Sequence, residues 1–406
     1  MEKTILVALD LGYYDIEASL EELTELVKTA GGEVAGTLVQ KREAPDRATC
    51  IGSGKLDELK ALVENEEAEL VVFDLELAPS QLRNIEAETD VRVIDRTMLI
   101  LDIFAGRAKS AEGKLQVELA QLRYSMPRLT GKGIELSRLG GGIGTRGPGE
   151  SKLESDKRHI NRRIHALQEE LTELTERRGR LRARRKKDGI TTVAIVGYTN
   201  AGKSTLLNRL TDAGVPAEDK LFATLDPTSR ALTLPDGRQI LLIDTVGLIR
   251  RLPHHLVEAF RSTLEEAAGA SLILHVCDAS SPELDEYIRV TNDLLDALGA
   301  GLIPRLCVLN KSDKAILHWD LPLPEDTVQI SALKGDGLGD LLTRIAEKLP
   351  STRRLARLLL PYSDGSMAAA LRKEGSVRKE SFTEDGLYME VVAENVLLER
   401  TKVYEI

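Results

Sequence analysis

The sequence predicts an α/β protein: a P-loop domain with an open parallel sheet, an N-terminal α/β domain with a long antiparallel helical hairpin, and a small C-terminal α+β domain. Three observations predict it. Short apolar runs alternate with stretches of helical period, a long heptad seam is interrupted by a glycine-rich segment, and a glycine-bearing strand-to-helix junction is followed by three more motifs at the ends of apolar runs. With 406 residues, 42% of them hydrophobic, the chain can bury several cores, and four units are expected, at 1–112, 113–188, 189–350 and 351–406.

In the first unit the runs 4–9, 34–39, 70–73 and 91–94 read as strands with helical stretches between them. Leu20, Leu23, Leu26 and Val27 recur at helical spacing, so the pattern is βαβα and the sheet is parallel. Gly52-Ser53-Gly54-Lys55 lacks the glycine spacing and the trailing Ser/Thr of a phosphate loop, and it predicts a turn and a helix start. The residues assign this unit no chemistry.

The second unit opens with Leu115, Leu119, Leu122 and Met126, a helical stripe that Pro127 stops. Leu153, Ile160, Ile164, Leu167, Leu171, Leu174 and Leu181 then keep a heptad seam, and two such helices pair most simply as an antiparallel hairpin. Between them, segment 137–151 holds too much glycine to build a core. It is expected to be mobile until a partner orders it, with Arg138, Arg146 and Lys152 offered to phosphates. Near the end of the second helix eight basic residues lie between Arg177 and Lys187 with no acid among them, Arg184 and Arg185 included. The chain as a whole carries a net charge of -10, but local sign decides binding, and a run this dense predicts a polyanion such as RNA.

The third unit carries the chemistry. Run 191–196 reads as a buried strand and 203–210 as a helix, and between them stands Gly197-Tyr198-Thr199-Asn200-Ala201-Gly202-Lys203-Ser204, followed by Thr205. That is a phosphate-binding loop in its required context: the glycines permit close backbone approach, Lys203 reaches the β- and γ-phosphates, and Ser204 offers a hydroxyl to Mg²⁺. Asp244-Thr245-Val246-Gly247 ends the next strand, where the carboxylate holds Mg²⁺ through water and the Gly247 N–H meets the γ-phosphate. Asn310-Lys311-Ser312-Asp313 follows another strand, and the Asp313 carboxylate suits the paired amine and ring N–H of guanine, which adenine lacks. Ser331-Ala332-Leu333 is placed to aim backbone N–H groups at the guanine O6. Four motifs in this order predict GTP and GDP as ligands and GTP hydrolysis as the reaction.

Phe222-Ala223-Thr224-Leu225-Asp226 lies where a first switch segment belongs, and Thr224, in preference to Thr228, is the expected Mg²⁺ ligand. Lys203, Thr224 and Gly247 are therefore the candidate catalytic set. After Gly247 stands Leu248, where many GTPases carry a water-orienting glutamine, so slow intrinsic hydrolysis completed by a partner is expected. Asn200 either helps coordinate K⁺ beside the phosphates or braces the loop. Past the third unit, 357–360, 366–371 and 381–392, with a turn at 384–386, outline a small α+β unit of unreadable role.

Cys50, Cys277 and Cys307 are scattered, which suggests neither disulfides nor a zinc site, and no stretch reads as a signal peptide or membrane helix; a cytoplasmic monomer is expected. With the Gly140 to Glu150 loop, the 222–228 switch and the hydrophobic residue after Gly247, the chain resembles the HflX-type GTPases over nearly its whole length. The resemblance implies binding to the large ribosomal subunit and its RNA, and splitting or rescue of ribosomes under stress. Two other readings stay open at this level: a large-subunit assembly GTPase, and an RNA-binding module in which nucleotide is structural.

Overall fold

The computed structural model describes residues 1–129, 148–211, 221–222, 227–251, 266–314, 323–349 and 353–406. Strands β1 (Lys3–Asp10), β2 (Glu33–Lys41), β3 (Leu70–Phe73) and β4 (Arg92–Asp95) form a wholly parallel sheet in the order β2-β1-β3-β4. Helices cover both faces of such a sheet, and Ile5 to Leu9 are buried without alternation. Helix α1 (Ile16–Ala30) starts where Asp15 accepts the N–H groups of Glu17 and Ala18, and it stops at Gly31, whose φ of 92° is open to glycine. Helices α2 (Ser53–Glu66) and α3 (Pro79–Thr89) follow, and α4 (Arg96–Arg107) is capped by Asp95.

The hairpin consists of α5 (Ala111–Ser125) and α6 (Pro148–Lys187). Ion pairs Arg163–Glu118 at 2.7 Å and Arg178–Glu112 at 2.5 Å advance along one helix while retreating along the other, so the two are antiparallel. Ile164 and Leu167 are buried in the seam, but Leu181 is 48% exposed, so the seam ends before the helix does. Helix α6 begins at Pro148, which makes the last residues of the expected 137–151 loop helical; proline is suited to a first helical position because its missing N–H would have no helical partner there.

The central sheet has the order β10-β9-β8-β5-β7-β6, formed by β5 (Thr191–Gly197), β6 (Thr228–Thr233), β7 (Gln239–Asp244), β8 (Leu272–Asp278), β9 (Arg305–Asn310) and β10 (Thr327–Gln329). All neighbours are parallel except the edge strand β6, which runs antiparallel to β7. Helices α7 (Lys203–Thr211), α8 (Leu284–Ala297) and α9 (Leu338–Lys348) belong to this unit. The C-terminal unit is an antiparallel sheet, β11 (Arg353–Leu360), β13 (Gly386–Glu394) and β12 (Ser376–Thr383) in that order, with α10 (Gly365–Glu374) and α11 (Asn395–Glu399). It has its own core around Leu358, Leu371 and Met389.

The first and third units share one core. Leu23, Leu26 and Phe104 pack in the same cluster as Tyr198, Phe222, Leu248 and Ile249, and the Phe104 and Phe222 rings meet edge to face at 4.6 Å. Among the described residues no helix is long and apolar enough to cross a membrane.

Candidate functional site

The phosphate loop leaves the carboxyl end of β5, where the order of the central sheet reverses and its strand ends open a crevice. Two glycines are required by contact. A Cβ on Gly197 would stand 2.0 Å from the Val276 carbonyl oxygen, and one on Gly202, at φ 90°, would stand 2.2 Å from Asn310 Nδ2. Asn200 adopts φ 60° and is exposed. Lys203 Nζ donates to the carbonyls of Gly197 and Tyr198 at 3.0 and 2.8 Å. Burial pulls the Lys203 ammonium down to about 8, against the opposing pull of Asp244, and a phosphate would supply the missing negative charge.

Ser204 Oγ donates to Asp244 Oδ2 at 2.8 Å, which brings a hydroxyl and a carboxylate together at the mouth of the loop. Hard oxygens of this kind, with the phosphates of a nucleotide, fit Mg²⁺. Thr205 is half-buried beside Ser204 in the first turn of α7, and Thr228 stands opposite Asp244 in the β6–β7 register. Thr224, with Ala223, Leu225 and Asp226, lies outside the described residues. Phe222 N donates to Thr199 Oγ at 3.0 Å.

At the other end of the crevice, Asn310 Nδ2 donates to the Ala201 carbonyl at 2.8 Å, and its Oδ1 accepts the Ala332 N–H at 2.9 Å. Asn310 thus ties the phosphate loop to the 331–333 segment. Ser331 Oγ donates to Asp313 Oδ1 at 2.7 Å and holds that carboxyl below the usual carboxylate range. Lys311, at φ 62°, pairs with Asp278 at 2.7 Å, and Ser312 N donates to the Ile330 carbonyl. The Ala332 N–H is engaged within the protein, while the Leu333 side chain is exposed.

Segment 245–251 lies along the phosphate loop. Thr245 donates through both N–H and Oγ to the Ile195 carbonyl, the Leu248 carbonyl accepts Thr199 N–H at 2.7 Å, and Leu248 N donates to the Gly197 carbonyl at 3.2 Å. Val246 and Leu248 are buried, and Gly247 packs so closely that a Cβ there would stand 2.8 Å from Thr199 Cα and 3.1 Å from Lys203 Nζ. The Tyr198 hydroxyl donates to Glu22 and accepts Arg250 N–H at 2.7 Å, while its ring stacks on Tyr287 at 3.9 Å. Burial first, then the Glu22 carboxylate, push that phenol far above its ordinary value, so it stays a donor.

Arg251 reaches out of this segment to Asp74 at 2.5 Å and to Ser19, and its guanidinium lies over the Tyr14 ring at 4.1 Å. Arg96 joins Asp74, at 2.9 Å, to Glu22. None of Glu22, Asp74, Arg96, Arg250 or Arg251 is among the residues nominated from sequence. They come from separate units and share no local spacing that could have announced them.

The basic run divides. Arg178 pairs with Glu112 of α5 and ties the two hairpin helices together, while Arg182 and Arg185 lie 3.6 and 3.7 Å from Glu266 and brace the hairpin against the rest of the protein. Arg184 is exposed and lies 3.7 Å from Asp188, one turn further along the chain. Lys152 lies in α6, and Arg138 and Arg146 lie outside the described residues.

Residues 17–105 match a family described as GTP-binding GTPase N-terminal, 107–185 one described as GTP-binding GTPase Middle Region, and 192–311 one described as 50S ribosome-binding GTPase. The chain is 53% identical over 386 residues to the GTPase HflX of Caldanaerobacter subterraneus, covering 95% of this chain and 90% of that protein. It is 48% identical over 409 residues to the GTPase HflX of Alkalihalophilus pseudofirmus, covering 100% of this chain and 96% of that one. The same comparison with the GTPase HflX of Escherichia coli gives 42% over 393 residues, 95% of this chain and 92% of that one. Identity at this level, sustained from the first sheet to the last, places the chain in the HflX family of GTPases.

Proposed function

We propose that the chain is a Mg²⁺-dependent GTPase that docks on the large ribosomal subunit, hydrolyses GTP faster there, and thereby splits or rescues ribosomes. The observation that carries the reading is the meeting of Lys203, Ser204, Asp244 and Gly247 at one end of the central crevice with Asp313 and Ser331 at the other. Support for the partner comes from the 50S ribosome-binding description of the family matched by 192–311.

In this reading the loop from Gly197 to Thr205 cradles the phosphates, Lys203 holds the β- and γ-oxygens, and the Gly247 N–H meets the γ-phosphate. Ser204 and Thr224 would hold Mg²⁺ directly and Asp244 would hold it through water, and the ion would supply positive charge to the phosphate oxygens. Asp313 accepts from guanine, and Leu333 places its backbone beside the base. Leu248 has no polar atom with which to orient water, so a ribosomal group completes the site. For K⁺ the described residues offer the single exposed amide of Asn200, and no step is assigned to that ion. The units 1–112, 113–188, 189–350 and 351–406 are proposed as domains, with Arg138, Arg146, Lys152, Arg184 and Arg185 as the contacts to RNA.

The test is GTP hydrolysis by the full chain alone and with purified large subunits, paired with sedimentation through sucrose gradients. Stimulation by mature subunits and a shift of intact ribosomes to free subunits are expected. Association with immature particles alone would replace splitting by assembly. Replacing both Arg138 and Arg146 by Ala should flatten the salt dependence of ribosome binding by about one unit of logarithmic slope for each phosphate no longer neutralised.

A further inference from the structure

We propose that the acidic crevice of the N-terminal sheet sets the preference of the nucleotide site between triphosphate and diphosphate, by gripping Arg251 and so fixing Gly247; the inference rests on the GTPase reading above. In the order β2-β1-β3-β4 the chain reverses direction between β1 and β3, and such a reversal opens a ligand-sized crevice at the carboxyl ends of the strands. Here the crevice is filled from within the protein. Asp74, the residue after β3, has a fully buried side chain that accepts from Ser19 Oγ at 2.7 Å, Arg96 Nη1 at 2.9 Å and Arg251 Nη2 at 2.5 Å. The other end of Arg96 reaches Glu22, which accepts the Tyr198 hydroxyl. Two acids and two arginines balance, and the network ties the N-terminal unit to both the phosphate loop and segment 248–251.

Segment 248–251 is therefore pinned at each end. Leu248 is hydrogen-bonded to Gly197 and Thr199, Arg250 N to the Tyr198 hydroxyl, and Arg251 to Asp74. Arg251 holds φ 47°, a left-handed value that a β-carbon residue keeps only when its surroundings impose it. The pinning holds Gly247 against the phosphate loop, where a Cβ would stand 2.8 Å from Thr199 Cα and 3.1 Å from Lys203 Nζ, and Lys203 is left 6% exposed. In the proposed mechanism a γ-phosphate lies between the Lys203 ammonium and the Gly247 N–H. A triphosphate must lift Gly247 and strain the grip on Arg251, whereas a diphosphate has no group to place there. Asp74, Glu22 and Arg251 touch no nucleotide; they are positioning residues, and their grip is a coupling free energy that favours GDP. By reciprocity, a bound triphosphate loosens Arg251 from the crevice.

The experiment compares affinities of the full chain for fluorescent GDP and a non-hydrolysable GTP analogue in the parent protein, Arg251→Ala, Arg251→Lys and Tyr198→Phe. Arg251 is the leading variant because it is partly exposed, while removing Asp74 would strand Arg96 in the interior; thermal melting confirms that each variant is folded. Arg251→Ala should move the ratio of affinities toward the triphosphate by about tenfold, with GDP affinity held within about twofold, and Arg251→Lys should restore part of the difference. Tyr198→Phe should move the ratio the same way by freeing Arg250 N–H. Hydrogen exchange in α1 of the parent protein should quicken with the triphosphate analogue. An unchanged ratio in folded Arg251→Ala and Tyr198→Phe overturns this inference alone, whereas a parent protein that binds neither nucleotide overturns the GTPase reading as well.

Discussion

The crevice beside β5 and the crevice between β1 and β3 arise from the same topology, a parallel sheet whose strand order reverses, yet they are lined by opposite chemistry. The phosphate end of the central one is built of glycine, backbone N–H groups and a lysine, which together attract an anion that can come and go. Its N-terminal counterpart is built of the buried carboxylates of Asp74 and Glu22, which require cations, and the chain supplies them permanently as Arg96 and Arg251. What separates a ligand site from a joint is the sign of the lining and whether its counter-charge is covalently attached.

The comparison is most sharply tested by emptying the second crevice. Asp74→Ala leaves Arg96 and Arg251 together without their shared acid, and it should destabilise the protein by about 3–5 kcal/mol in urea denaturation. A loss under about 1 kcal/mol would mean that the network behaves like a surface pair. For the first crevice, Lys203→Ala should lower single-turnover GTP hydrolysis by about 100- to 1,000-fold, as expected when a preorganised positive group is removed from a reacting phosphate. Retention within about tenfold would place the phosphates elsewhere.

His275 in β8 gives a smaller, pH-dependent effect. Burial first, then the charges of Arg305 and Lys203, hold its imidazole down at about 4, and among the described residues its Nε2 has no hydrogen-bond partner. Because the unfolded chain takes up that proton near pH 6.5, stability is full above that value and falls as the pH drops toward 4. The total is about 3 kcal/mol, and His275→Leu should flatten that acid limb in urea titrations at stepped pH. An identical limb in the variant would assign the loss to other groups. The smallest effect is Asp313→Asn, which should weaken GTP binding by about 1.5–3 kcal/mol and favour xanthosine triphosphate, since the amide offers a donor in place of an acceptor. Unaltered GTP affinity with no gain for the xanthine nucleotide would falsify the guanine role of Asp313.

The elements around the central crevice were legible because their chemistry is local. A strand, a glycine turn and a helix start are adjacent in sequence, and the strands that precede the four motifs fall where the apolar stretches do, whereas the polar edge strand β6 and the strand β8, which carries no motif, were not anticipated. The joint was not legible. Glu22, Asp74 and Arg96 are single charged residues at a helix face or a strand end, indistinguishable in sequence from solvated ones, and only folding brings Arg251 to them. The basic run from Arg177 to Lys187 shows the converse: no acid lies within it in sequence, but Glu112 and Glu266 arrive from other elements and pair with three of its arginines. Leu181 continues the heptad in sequence but sits at an exposed turn of α6, because α5 does not extend that far alongside it.

The 40 residues of α6 give it a length of about 60 Å, and Arg182 and Arg185 fasten one end to Glu266. Such a rod converts angle into travel. A tilt of about 5° at Arg182 carries Pro148, 34 residues or about 51 Å away, through about 4 Å. A displacement at Glu266 too small to disturb the packing of the central sheet thus becomes, at the far end of the helix, a movement larger than a hydrogen bond is long. In geometry the hairpin is a long lever, fastened near one end through Arg182, Arg185 and Glu266 and stiffened along its length by the pairs from Arg163 and Arg178 to α5.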